Sequence, residues 1–173
     1  MIQKLYEGLD TKAIVEELKF SDWWDEVDFR TTFKNSPHAQ VNDIVLRFTE
    51  IEEEGDVYDS FMCINYDAWY DHPLTVGATL DIMRLVQGVM LGRVVVTRLK
   101  PGGEVTPHID HGISSEIYER YQCQLAGECD YTVGDETVRM KAGELWVFDN
   151  LMTHSVKQVG DEDRMTLIID ILS

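Results

Sequence analysis

Residues 93–172 hold eight short β-type segments separated by turn residues, and this spacing constrains the fold more than any other feature of the chain. The segments are 93–99, 105–109, 121–125, 130–133, 137–140, 144–148, 155–159 and 165–172. Pro101-Gly102-Gly103 suits a turn, Gly134-Asp135-Glu136 a hairpin connection, and Ala142-Gly143 another turn. Strands this short and this close leave no room for the crossover helices of βαβ units. A mainly β fold follows, with two sheets packed as a jelly roll and helices outside it.

The first 92 residues read as a mixed, largely helical support region for this 93–173 core, within one domain spanning 1–173. Residues 11–18 form a short helix that Asp10 or Thr11 can cap, with Ile14 and Leu18 on one face. An aromatic and acidic patch, 20–25, carries the adjacent Trp23 and Trp24, which are read as core packing. Residues 35–38 make a turn at Pro37, 41–48 have strand character, and 61–66 form another short strand. The acidic run 50–56 reads as a solvated loop. His72-Pro73 and Gly77 are expected to break the chain before the clearest helix, 79–91. There Leu80, Met83, Val86 and Met90 form an apolar stripe and Gly92 a stop.

Thirty-two acidic residues against 15 basic ones give a formal charge of −17, with Lys and Arg scattered. Such a surface repels phosphate backbones, so nucleic acid is not an expected partner. No window is apolar and long enough to span a membrane. The opening Met1-Ile2-Gln3-Lys4-Leu5-Tyr6-Glu7 lacks the blocks of a signal peptide, so a cytoplasmic location is expected. Cys63, Cys123 and Cys129 are odd in number and lack metal-like spacing, which fits inert thiols.

The chemistry-bearing stretch is Thr106-Pro107-His108-Ile109-Asp110-His111-Gly112, with His154 downstream. Alternate side chains of a strand share a face, so His108 and Asp110 are expected to point inward and His111 away. Two imidazoles and one carboxylate from His108, Asp110 and His154 would make the facial triad of non-heme Fe(II) oxygenases. Mn(II), Co(II) or Zn(II) also suit these donors. A cosubstrate with two carboxylates would need an anchor. Arg164, ten residues beyond His154 and past the Gly160-Asp161-Glu162-Asp163 turn, offers a guanidinium fork. Were the two flanking strands a hairpin, an odd loop or a bulge would be required to put Arg164 and His154 on one face. Tyr118, Trp146 and Asn150 are candidate pocket residues, while His38 and His72 have no assignable partner.

On these residues the chain resembles the aspartyl/asparaginyl β-hydroxylase family of 2-oxoglutarate/Fe(II) oxygenases. The resemblance covers 94–172 and is carried by three stretches: 95–108, Arg120-Tyr121-Gln122, and 143–150. His154 and Arg164 complete it. It implies a double-stranded β-helix, a cupin-like jelly roll, and hydroxylation of an unactivated C–H with Fe(II), 2-oxoglutarate and dioxygen. The implied substrate is an amino-acid side chain, in a peptide or as the free amino acid. His108 and His154 would bind iron and Arg164 the distal carboxylate of 2-oxoglutarate. Thr97 falls where the family places a hydroxyl on that cosubstrate, and Arg120 on an Arg that faces the carboxylate ligating the metal. Asp110 is present here although some members lack the acid. The family's Arg-x-His becomes Arg120-Tyr121-Gln122, which puts an amide where others have an imidazole near the cosubstrate. The rival class is a non-catalytic cupin-like module binding a metal or small acid, because one fold hosts many functions. A nucleic-acid-directed oxygenase ranks below both.

Overall fold

The computed structural model describes residues 1–50 and 60–173; most of the acidic run 50–56 lies outside the described residues. Among the described residues, eleven strands form two antiparallel sheets. In chain order the strands are β1 (Ile2–Tyr6), β2 (Val41–Thr49), β3 (Cys63–Asn65), β4 (Met90–Leu99), β5 (Glu104–His108) and β6 (Glu119–Ala126). They continue as β7 (Glu128–Val133), β8 (Glu136–Lys141), β9 (Leu145–Phe148), β10 (His154–Val159) and β11 (Arg164–Leu172). The larger sheet runs β1-β9-β6-β11-β4-β2-β3 and the smaller β5-β10-β7-β8. β4 to β11 are the eight segments expected from the sequence, and the fold is the mainly β jelly roll with helices outside.

Both faces of the large sheet are covered, which explains why β11 reads as an almost unbroken apolar run. Its odd-numbered side chains, Met165, Leu167, Ile169 and Ile171, join Val94 and Val96 of β4 in a core under the helices. Helix α1 (Lys12–Lys19) adds Ile14 and Leu18 to that core. Each fully buried aliphatic chain there is worth roughly 1.5–3 kcal/mol. The other face meets the small sheet through Leu99, Val105, Tyr131, Trp146, Phe148 and Val156. Three free cysteines are buried, and burial pushes the Cys63 thiol up to about 11 and Cys123 to about 12. They behave as small hydrophobes.

Several local expectations need correction. The long helix is α4 (Pro73–Leu85), not 79–91. Pro73 starts it rather than breaking it, since a first-turn residue needs no N–H partner and proline presets φ. Glu17 of α1 completes the cap, accepting from Leu74 N at 2.8 Å, Thr75 N at 2.9 Å and Thr75 Oγ1 at 2.6 Å. Gly77 is tolerated inside at a cost of about 1 kcal/mol. The helix stops at Gln87, whose φ is 58°, where Gly88 N donates to Met83 O at 2.9 Å and Gln87 N to Arg84 O at 3.2 Å. Thr75, Thr79 and Ile82 form its buried face, whereas Leu80 is exposed. Met90 and Gly92 already belong to β4. At α1 the Thr11 hydroxyl does not cap; it donates to Leu125 O at 2.8 Å, while Lys12 N donates to Asp10 Oδ1 at 3.2 Å.

The first 92 residues also place three strands, β1, β2 and β3, in the large sheet. β1 has no sequence signature because only Ile2 of its five residues is buried. The short helices α2 (Phe29–Thr32) and α3 (Ala68–Asp71) precede β2 and α4, and α5 (Ile113–Ile117) follows β5. Finally, β10 and β11 are not a hairpin. They belong to different sheets, so the turn between them crosses the sandwich and the parity condition on its length does not arise.

Candidate metal centre

His108 ends β5 and His154 begins β10, and the two are direct partners in that ladder. Asp110 lies two residues past the end of β5, so strand alternation does not place it, contrary to the simplest sequence reading. Instead its backbone N donates to Asn150 O at 3.2 Å, and its carboxylate turns back to the two rings. Asp110 Oδ1 is 3.5 Å from His108 Nε2 and 3.9 Å from His154 Nε2. One donor atom from each of the three residues lies within 4.8 Å of the others.

Both imidazoles are oriented by the same local device. His108 Nδ1 is 2.8 Å from Thr106 O, and His154 Nδ1 is 2.9 Å from Met152 O. A carbonyl only accepts, so each Nδ1 carries the hydrogen and each Nε2 lone pair is left for a ligand. His108 Nε2 is buried with no hydrogen-bond partner. Burial lowers the pKa of His154 to about 4. Burial disfavours the charge on Asp110 too, but the Arg120 guanidinium, with Arg93 behind it, outweighs burial and holds the carboxyl well below its ordinary range. The donor set of two imidazole nitrogens and a carboxylate therefore fits a divalent first-row metal, with no thiolate among the three donors.

The cavity behind the triad lies between the sheets. Thr97, Gln122 and Arg164 line it from the large sheet, and Val105, Tyr131 and Val156 from the small one. Arg164 is buried, and its Nη2 donates to Gln122 Oε1 at 3.3 Å rather than pairing with Asp161 or Asp163. Gln122 Nε2 in turn donates to Tyr131 Oη at 3.1 Å. Among the described residues, five buried side-chain polar atoms lack a hydrogen-bond partner, and three of them, Thr97 Oγ1, Arg164 Nε and His108 Nε2, belong to residues of this cavity. Leaving such atoms unmet costs on the order of 1–3 kcal/mol each, so their convergence marks a ligand site.

Arg120 also lines the cavity, but its guanidinium is committed. Nη1 donates to Asp110 Oδ2, Nε to Asp170 Oδ1 at 2.8 Å and Nη2 to Asp170 Oδ2 at 3.1 Å. Asn150 makes a long 3.5 Å contact with Asp110 Oδ2. Tyr118 and Trp146 are packing residues, bonded to Phe61 O and to Glu144. His72 is structural as well, held between Ala68 O at 2.6 Å and Ser21 Oγ at 2.8 Å. His111 is exposed and is not one of the three grouped donors.

Two residues of the site had no sequence signal. The His38 ring packs edge-on against His108 at 4.9 Å, and burial lowers its pKa to about 2, so it is a neutral wall. Arg30 lines the same cavity while donating to Asp43 at 2.8 Å. An adjoining cavity on the Asp110 side shares Arg30, His38 and Arg120 and adds Phe48 and Arg93.

The family model described as aspartyl/asparaginyl beta-hydroxylase matches residues 37–173. No curated protein matches the chain. Among solved structures, an oxidoreductase of the 2OG-Fe(II) oxygenase family from Burkholderia pseudomallei superposes with a TM-score of 0.55 at 13% identity. That match covers 76% of this chain and 66% of the other. The cupin domain of Schizosaccharomyces pombe Cnp3 gives a TM-score of 0.41 at 17% identity, covering 51% of this chain and 72% of that one. At 13% identity the likeness to the Burkholderia protein is one of fold.

Proposed function

The chain belongs to the aspartyl/asparaginyl β-hydroxylase family, and from that premise we propose that it is a 2-oxoglutarate- and Fe(II)-dependent dioxygenase. Its substrate is an unactivated C–H of an amino-acid side chain, in a peptide or as the free amino acid. The observation that carries this reading is the convergence of unmet buried donors and acceptors on one cavity: Thr97 Oγ1 and Arg164 Nε at one end, His108 Nε2 at the other. A dicarboxylate keto acid would satisfy the first two, and a metal the third.

His108, Asp110 and His154 would hold the iron, which when bound supplies dioxygen activation coupled to decarboxylation of 2-oxoglutarate. The overall balance is substrate C–H, dioxygen and 2-oxoglutarate giving substrate C–OH, succinate and carbon dioxide. Arg164 takes the distal carboxylate in its fork, with Gln122 fixing the guanidinium from one side and Thr97 donating its hydroxyl. Arg120 is occupied by Asp110 and Asp170, so cosubstrate recognition falls to Arg164, Thr97 and Gln122. Val105, Val156 and Ile168 keep bulk water from the cavity, which strengthens each of these polar contacts.

The test is iron-dependent formation of succinate from 2-oxoglutarate. Turnover that requires both iron and the cosubstrate is expected, with or without added amino acids. A metal-loaded sample that forms no succinate under either condition overturns the reading.

A further inference from the structure

Asp110 is a metal-ligand candidate carried on a loop, and the β5 ladder stops before reaching it. A ligand so placed needs its orientation fixed by partners outside the strand. We infer that Asp170 is the positioning residue for Asp110: acting through Arg120, it presents the ligand carboxylate to the metal by one oxygen only. The inference rests on the reading of His108, Asp110 and His154 as metal ligands.

The geometry begins with a cross-strand pair. Asp170 of β11 lies opposite Arg120 of β6 in register, and Arg120 lines the cavity between the sheets. Asp170 takes Arg120 Nε on one oxygen at 2.8 Å and Nη2 on the other at 3.1 Å, the fork arrangement that fixes a guanidinium plane. The remaining nitrogen, Nη1, is thereby aimed at Asp110 Oδ2. With Oδ2 taken, Oδ1 is the oxygen facing both imidazole Nε2 atoms, at 3.5 and 3.9 Å.

The contacts return to the same loop. Asp170 Oδ2 also accepts from Arg93 Nε at 2.5 Å, and Arg93 Nη2 reaches Ser115 Oγ at 3.5 Å. Ser115 Oγ donates to His111 O at 3.2 Å, next to Asp110. The ligand loop is therefore held at the Asp110 carboxylate and at the following carbonyl by one buried chain of ions. Two arginines and two aspartates balance in that chain, with Asp170 1%, Arg93 6% and Arg120 9% exposed. Without the charge of Asp170, two buried arginines would compete for the one carboxylate that the metal needs.

The test reads metal binding rather than turnover. Metal-free protein is titrated with Co(II), and the visible absorption of the bound ion reports its ligand geometry. Asp170→Asn keeps the size and removes the charge. It is expected to raise the Co(II) dissociation constant by about 10- to 100-fold and to change the band shape, as loss of an outer partner of a ligand does. Arg120→Met should give a similar loss, and the double variant should be no worse than the singles, because both act through one contact. Wild-type affinity and spectrum in Asp170→Asn, or losses that add in the double variant, overturn the inference. Should Asp170→Asn fail to fold, Arg120→Lys serves: it keeps the charge but cannot span both carboxylates, and a wild-type spectrum there overturns it equally. A wild-type chain that takes no Co(II) overturns the metal reading together with this one.

Discussion

His108 and His154 face each other directly across the β5–β10 ladder, with ring centroids 4.3 Å apart, and each ring donates Nδ1–H to the carbonyl two residues before it. Register sets their approach, and the carbonyls set which nitrogen is bare. For His154, whose pKa burial lowers to about 4, the neutral ring is the form present at pH 7. Nitrogen-resolved NMR of metal-free protein at pH 7 should therefore show it as the Nδ1–H tautomer. Added Zn(II) should shift the Nε2 signal and leave Nδ1 protonated. An Nε2–H tautomer in the metal-free state would contradict the geometry.

The strands that carry these residues were legible because turn residues separate them and because alternation is clear in segments such as β7, buried at every second position. Arg164 and Thr97 were legible as members of a motif. Asp110 stands beside the two histidines, but not by the strand alternation that the sequence suggests, since alternation cannot act where the strand has ended. Helix α4 was misplaced because its buried face is Thr75, Thr79 and Ile82, and two threonines leave no apolar stripe. His38 and Arg30 reach the site only through the tertiary packing of a loop and a one-turn helix. Asp170 did leave a trace: it is a lone charge within the apolar run of β11, and a buried charge demands a partner.

Arg164→Ala should abolish most 2-oxoglutarate affinity while leaving metal affinity intact. Arg164 touches Gln122 and none of the triad, so the two effects separate. A charge-assisted fork is worth about 1.5–3 kcal/mol, or roughly 10- to 150-fold in dissociation constant. Calorimetric titration of the Mn(II)-loaded protein with 2-oxoglutarate measures it. Unchanged affinity would favour a binding module of different ligand preference.

Thr97→Val discriminates packing from recognition at the same end of the cavity. The hydroxyl is buried and meets nothing in the protein, so removing it sacrifices no internal hydrogen bond. Thermal stability should hold or rise slightly. If the hydroxyl serves the cosubstrate, 2-oxoglutarate affinity should fall by about 0.5–1.5 kcal/mol, roughly 2- to 12-fold. A stability loss without an affinity loss would assign Thr97 to packing instead.

Gly127→Ala should damage the anchor from behind. Gly127 sits at φ 65°, and an added Cβ would fall 2.7 Å from Asp163 O and 3.0 Å from Arg164 Cα. The left-handed backbone alone costs about 1–2 kcal/mol for a residue with a side chain, or roughly 2–8 °C in melting temperature. Because the clash is with the backbone that carries Arg164, 2-oxoglutarate affinity should fall as well. Gly102→Ala, also at positive φ but with open space around it, should lose stability without that affinity loss.

Acid stability should depend on Asp170. Burial works against its charge, but Arg120 and Arg93 outweigh burial and hold its carboxyl below the ordinary value of 3.8. A folded-state value lower than the unfolded one means that the unfolded chain binds the proton more readily. The stabilisation is therefore complete above the ordinary carboxylate range and disappears as pH falls through the folded-state value. Asp43 acts in the opposite sense: burial raises its carboxyl despite Arg30, so protonating it relieves a cost and softens the decline. Urea midpoints measured from pH 7 downward should begin to fall near pH 6.5, where His38 and His154 of the unfolded chain take up protons that burial denies the folded one, and should drop further through the carboxylate range. In Asp170→Asn the midpoint should start lower at pH 7 and fall less steeply through the carboxylate range. A variant whose midpoint declines as steeply as that of the wild type would show that the Arg93–Asp170–Arg120 chain does not govern acid unfolding.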